Sequence, residues 1–302
     1  MNDQSQNFND DFQPILDAYG SEDYKEAVKL WLPLAEQGYA DAQYFLGAVH
    51  EHGLGVQQDY KEAVKWFRPA AEQGYVDAQF KLGIIYEEGQ GVPQDYKEAV
   101  KWFRLSAEQG FVYGQYILGS MFEDGLGVEQ DYKEAVKWYR LSAEQGYAKA
   151  QFNLGSMYSE GYGVPKDYKE AVKWFRLAAE QGDADAQWDL GYMFKNGLGV
   201  EQDYKEAVKW FHLAAEQGDA FGQYILGSMF EDGQAVPQDY KEAVKWYRLS
   251  AEQGLSAAQC GLGEMYYGGE GVPHDYAEAI KWWKLAAEQG HEEAQYNLDN
   301  SA

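Results

Sequence analysis

Residues 111–146 read FVYGQYILGSMFEDGLGVEQDYKEAVKWYRLSAEQG, and these letters spell two helices with a short reversal between them. From Val112 to Asp124, the residues Gly114, Leu118, Met121 and Phe122 fall at helical spacing, and Gly125 follows where a helix closes on a left-handed residue. A glycine-rich loop, Gly125 to Gln130, leads to Asp131 and Glu134, an Asp-x-x-Glu pair that predicts a capping box opening a second helix. In that helix Tyr132, Ala135, Val136, Tyr139, Leu141 and Ala143 supply the apolar face. Lys133, Lys137 and Arg140 lie largely outside it, with Arg140 and Glu144 spaced for an i, i+4 pair, and Gly146 ends the helix. We call the first element helix A and the second helix B.

The unit repeats every 36 residues. The cap aspartate returns as Asp23, Asp59, Asp95, Asp131, Asp167, Asp203, Asp239 and Asp275, and the closing glycine as Gly38, Gly74, Gly110, Gly146, Gly182, Gly218, Gly254 and Gly290. A fixed period of this length predicts an all-α fold, an α/α solenoid in which each helical hairpin buries a face on its neighbours. Glycine recurs inside helix A at Gly47, Gly83, Gly119, Gly155, Gly191, Gly227 and Gly263. Because glycine there costs roughly 1 kcal/mol against alanine, its return argues for backbone contact with a neighbouring helix. The tryptophans Trp66, Trp102, Trp138, Trp174, Trp210, Trp246 and Trp282 form a helix B stripe expected in the core. The boundaries follow: residues 1–38 an N-terminal capping region with an irregular first helix A at Asp10 to Tyr19, 39–290 seven full repeats, and 291–302 a C-terminal capping helix, Glu292 to Asp299.

The helix A pattern AQFNLGSMYSEGYGV, Ala150 to Val164, followed by DYKEAVKWFRLAAEQG, Asp167 to Gly182, resembles the Sel-one-like repeat family, relatives of the tetratricopeptide repeats. The resemblance covers residues 21–299. It implies a right-handed superhelix with helix A lining the inner surface, and an interaction scaffold of a kind common in bacteria.

Enzymatic chemistry has no visible constellation. No serine is followed three residues later by lysine, and His50 and His52 are two apart on a helix with no further ligand to complete a metal site. The Gly-x-Gly-Val loops follow a helix rather than a strand and lack a Gly-Lys-Ser/Thr ending, so chain reversal explains them better than phosphate binding. No cofactor and no metal are expected. The amino terminus is polar and acidic, without the cationic start and apolar run of a signal peptide, and no segment approaches bilayer length. A cytoplasmic protein is expected, or a periplasmic one if a leader has been removed; the single cysteine, Cys260, fits a reducing compartment.

The charge is segregated. Of the net −25, the eight helix B segments hold 24 acidic and 21 basic residues, whereas the rest of the chain holds 26 acidic residues and only Lys81, Lys149, Lys166 and Lys195. Direct nucleic-acid binding and anionic membranes are disfavoured by that layer; a monomer is expected, and its expected partner is a protein or peptide with a basic surface. The leading expectation is a non-enzymatic scaffold; the alternatives are an immunity protein neutralising a bacterial toxin or effector, and a nucleic-acid mimic occupying a DNA-binding protein. Candidate partner-binding residues are an aromatic row in helix A (Tyr44, Phe80, Tyr116, Phe152, Trp188 and Tyr224) with Ser120, Glu123, Asp124, Tyr192, Ser228, Glu231 and Asp232. The row's position on the helix flank fits either packing between repeats or an exposed ladder. Helix A positions that vary between units, such as Phe45, Lys81, Ile117, Asn153, Asp189 and Ile225, mark surface free to specify a partner. Units 111–146 and 219–254 share GQYILGSMFEDG and QDYKEAVKWYRLSAEQG, which would present the same side chains twice.

Overall fold

The computed structural model describes residues 23–301. Among the described residues there are sixteen helices and no strand, alternating as expected: B helices such as Tyr60–Glu72, Tyr132–Glu144 and Tyr204–Glu216, and A helices such as Ala40–His52, Val112–Asp124 and Ala184–Asn196. The chain is an all-α solenoid of consecutive hairpins, closing on the lone A helix Glu292–Asn300. The irregular helix expected at Asp10 to Tyr19 lies outside the described residues. Two compact units, Met1–Gln145 and Gly146–Ala302, each carry this hairpin stacking.

The caps explain why the elements begin where they do. Asp131 accepts hydrogen bonds from the N–H groups of Lys133 and Glu134 at 2.9 and 3.2 Å, satisfying two otherwise orphaned donors. The reciprocal arm of the predicted capping box is replaced by a different bond. The Asp131 N–H donates to the Phe122 carbonyl at 2.9 Å, fastening helix B to the end of helix A, and Glu134 instead pairs forward with Lys137. The Lys–Glu pairs along the B helices are i, i+3, as in Lys101 with Glu98 at 2.9 Å. The arginines of the B helices have a role the i, i+4 reading did not anticipate: the guanidiniums of Arg104 and Arg176 lie over the rings of Phe122 and Phe194, each 5.4 Å from the ring centre.

Close packing accounts for the glycines. A Cβ on Gly119 would sit 2.7 Å from the Tyr139 ring, and one on Gly191 2.9 Å from the Phe211 ring, so the close neighbour is a ring of the same hairpin's helix B rather than a helix backbone. The centre of each hairpin is therefore Phe67, Phe103, Tyr139, Phe175, Phe211, Tyr247 or Trp283, all buried. The tryptophan stripe is one residue earlier and flanks this centre: Trp102, Trp246 and Trp282 are buried, while Trp66, Trp138, Trp174 and Trp210 are half-buried. In the loop, Gly127 has φ +70°, and a Cβ there would run into the Tyr96 carbonyl and lie 2.9 Å from the backbone N of Lys97, so the reversal lies directly on the start of the preceding B helix.

A glutamine ladder joins successive repeats. Gln115, buried in helix A, donates to the Ala107 carbonyl of the preceding B helix at 3.1 Å and accepts from Gln145, at the end of its own hairpin's helix B, at 2.8 Å. Gln79 with Gln109 and Gln223 with Gln253 repeat the arrangement. Each buried amide thereby donates to the preceding repeat and accepts from its own hairpin, which ties the spacing of hairpins to their contact.

Candidate functional site

The A helices carry every candidate residue. The aromatic row is half-buried at Tyr44, Phe80, Tyr116, Phe152, Trp188 and Tyr224, so it is neither a free ladder nor a core stripe. Tyr116 packs on Tyr139 and Phe152 on Phe175, each with ring centres 5.8 Å apart, leaving one flank of each helix A ring turned from the core. The variable positions Phe45, Lys81, Ile117, Asn153, Asp189 and Ile225 are half-buried as well, and Tyr192 is exposed.

The acidic candidates divide into two kinds. Asp124 and Asp232 are exposed, with the Ser120 hydroxyl donating to Asp124 at 3.3 Å. Glu123 and Glu231 are half-buried, and each accepts a hydrogen bond at 2.5 Å from a buried tyrosine hydroxyl, Tyr139 and Tyr247 respectively. Burial raises both carboxyls above their ordinary range, the tyrosine bond acts in the opposite direction, and the neighbouring aspartate adds to the rise. These two glutamates therefore brace the hairpin, and the long-range field belongs to the exposed aspartates.

In the unit Gly146–Ala302, Tyr224, Ser228 and Glu231 line a recess together with Cys260, Glu264 and Glu293. Cys260, which interrupts the aromatic row, is buried, and its thiol is pushed up to about 12, first by burial and then by Glu264 and Glu293. It stays protonated at neutral pH, which removes it as a nucleophile.

A larger cavity of about 290 Å³ in the same unit is lined by Phe152, Trp188 and Phe221 and by three carboxylates, Asp185, Asp189 and Asp219. Trp188 stacks on Tyr192, with ring centres 5.5 Å apart and planes 11° from parallel, and meets Phe221 edge-on at 6.4 Å. Asp189 is raised to about 7, mainly by burial and further by Asp185, Glu160 and Asp183. The structure thus brings together Phe152, Trp188 and Tyr192 of the predicted set and adds Asp185, Asp189, Asp219 and Phe221, which were not among the predicted site residues. Asp232 stands apart from this cavity.

The missing signal was present in one register, the residue just before each A helix. It reads Tyr39, Tyr75, Phe111 and Tyr147, then Asp183 and Asp219, then Leu255 and His291. In the unit Met1–Gln145 these aromatics cover the row: Tyr75 stacks on Tyr44 at 4.9 Å, and Phe111 packs on Phe80 at 5.0 Å. The residues in the corresponding places over Phe152 and Trp188 are Asp183 and Asp219. Both act as helix caps, accepting from the N–H of Ala186 and Gly222, so at these two places a carboxylate stands where the earlier repeats have a ring.

Comparison with known proteins agrees with the architecture. The Sel1 repeat pattern matches residues 18–39, 40–75, 76–111, 112–147, 148–183, 184–219, 220–255 and 256–291. A protective antigen of uropathogenic Escherichia coli with an SLR fold is similar at 41% identity and a TM-score of 0.86, over 91% of this chain and 60% of the antigen. This chain is thus shorter than that relative by a substantial part of its length. A Sel1 repeat protein from Oxalobacter formigenes is similar at 36% identity and a TM-score of 0.74, over 92% of this chain and 80% of its own. No curated protein matches the sequence.

Proposed function

The chain belongs to the Sel1 repeat family, whose fold is typical of protein–protein interaction, and we propose that it is a non-enzymatic scaffold holding a protein or peptide with a basic surface on the face of its A helices. On this reading residues 39–290 form the working array and the segments on either side cap it. The observation that carries the reading is the coincidence of charge and shape. The layer with 26 acidic and four basic residues, counted with the loops and amino terminus, is also the layer whose aromatic row is only half-buried and whose cavity is walled by Phe152, Trp188 and Phe221. Opposite charge draws such a partner in from a distance, and rigid rings hold it at short range. The extended layer suits a scaffold better than a reaction centre. Among the described residues no helix is long and apolar enough to cross a membrane, so nothing in these helices competes with that use.

Affinity capture from the source cells, with identification of the retained protein and stopped-flow kinetics on the purified pair, tests the proposal. The retained protein should be basic, and its association should slow markedly as salt shortens the reach of the field to ~8 Å at physiological ionic strength, with dissociation changing less. Reversing Asp124 and Asp232 should slow association, and truncating Trp188 should chiefly speed dissociation. An acidic partner, or association indifferent to salt and to both reversals, would remove the electrostatic basis of the proposal.

A further inference from the structure

We propose that the cavity between Phe152 and Phe221 is a subsite for a single arginine side chain of the partner, its aliphatic stem against Phe152, Trp188 and Phe221 and its guanidinium held by Asp185, Asp189 and Asp219. This rests on the scaffold reading and adds to it a defined site and a residue type.

Three independent features converge here. The first is the break in the repeat. In the unit Met1–Gln145, Tyr75 and Phe111 cover Tyr44 and Phe80, but over Phe152 and Trp188 the covering ring is replaced by aspartate in two successive repeats. Each replacement removes an apolar ring and adds negative charge at one point beside the cavity, which suits a ligand that is apolar along its stem and cationic at its tip. The second is Asp189. No hydrogen bond or ion pair reaches its carboxyl among the described residues, although it is half-buried, and the charged groups that act on it are of its own sign. Asp183 and Asp185 lie beside it on or at the end of its own helix, Glu160 approaches from the preceding A helix and Asp219 from the cap of the next, while the cation Lys149 acts on Asp183. A cation in the cavity would relieve this repulsion. The third is shape: indole and phenyl faces accept a planar guanidinium, and its fan of N–H donors can reach several carboxylates at once, so arginine suits the cavity better than lysine.

The groups facing Asp189 also give the subsite a pH signature. With its carboxyl raised to about 7, binding a cation favours the ionised form, so binding near neutrality releases protons and weakens as pH falls below about 7.

The test uses the full chain, isotope-labelled for NMR, and a blocked Gly-Arg-Gly peptide with its norleucine counterpart as probes. At about pH 8 the arginine peptide should shift the Trp188 indole resonance saturably, and the norleucine peptide should bind at least about tenfold more weakly. Asp189→Asn should weaken the arginine peptide about fivefold or more, and Asp219→Tyr, which restores the covering ring, should abolish the shift. Glu108→Gln, which removes one negative charge at an exposed helix B position of the other unit, should leave it unchanged. Amide spectra that keep the native pattern show that each variant is folded. The subsite is overturned if the Trp188 resonance is unmoved up to about 10 mM arginine peptide. It is equally overturned if norleucine binds as well as arginine, or if Glu108→Gln weakens binding as much as Asp189→Asn. A captured basic partner whose salt-dependent binding ignores Asp189→Asn and Asp219→Tyr would also reject the subsite while leaving the scaffold reading intact. Peptide binding that follows the expected pattern, alongside a partner indifferent to salt, would support the subsite and reject the electrostatic scaffold.

Discussion

Replacing Ala235 by glycine should stabilise the protein. In six other repeats the second loop glycine (Gly55, Gly91, Gly127, Gly163, Gly199 and Gly271) has φ between 68 and 72°, and Ala235 occupies the same place at 65°, the only non-glycine with positive φ among the described residues. A side chain in this left-handed region costs about 1–2 kcal/mol, and glycine loses about 0.4–1 kcal/mol of that gain through the greater freedom of the unfolded chain. The net expectation is about 1 kcal/mol of added stability, felt mainly by the repeat 219–254 and its immediate neighbours, because a repeat array is held by nearest-neighbour contacts. The reverse change makes the comparison sharper. Gly127→Ala imposes the same strain and drives a Cβ into the Tyr96 carbonyl, nearer still than its 2.9 Å approach to the Lys97 backbone nitrogen, for an expected loss of at least about 2 kcal/mol. Native-state hydrogen exchange on the amides of Met229 to Ala243 is the assay, since it reads local opening rather than one global transition. Protection there should rise about fivefold in Ala235→Gly. An Ala235→Gly protein no better protected than the original, together with a harmless Gly127→Ala, would refute the assignment of strain to this loop.

Three further outcomes are expected. Asp131→Ala should cost about 1 kcal/mol, seen as faster exchange in the first turn of Tyr132–Glu144, because Lys133 and Glu134 lose their acceptor. Gln115→Leu should cost about 1–3 kcal/mol, read by denaturant unfolding and by exchange in the hairpins on either side, since it leaves the buried Ala107 carbonyl and the Gln145 amide without their partner. Asp189→Asn should stabilise helix Ala184–Asn196 above about pH 7 by about 2 kcal/mol, below the ~4 kcal/mol ceiling of the full shift because the carboxyl is partly exposed, and should change nothing below about pH 4. The sign follows from a folded carboxyl raised from 3.8 to about 7: its protonated form favours the fold at low pH, and that advantage is lost as pH rises through the folded value. Exchange measured across this range checks both limits.

The family resemblance, the helix boundaries and the period were legible because each is local. Asp131 caps its helix and Gly125 closes the one before it through contacts within a few residues, and repetition makes the first signal appear eight times and the second seven. The partners of buried side chains were less legible. Glycine at Gly119 announced a close approach, but only packing identified the Tyr139 ring as the neighbour, and the Glu123 carboxylate proved to be that tyrosine's half-buried acceptor.

What the sequence by itself determined was therefore the all-α hairpin repeat, its register, and the concentration of acid outside helix B. The tertiary structure decided which departures from the repeat matter. Asp183 and Asp219 can be seen in the letters as substitutions for tyrosine or phenylalanine, yet their effect depends on a contact between the residue before one A helix and the row residue thirty-one positions earlier. That contact is made between neighbouring repeats and has no sequence-local signature. Only when the hairpins stack do the missing rings become an open cavity, and only there does burial among like charges raise Asp189 far above an ordinary aspartate.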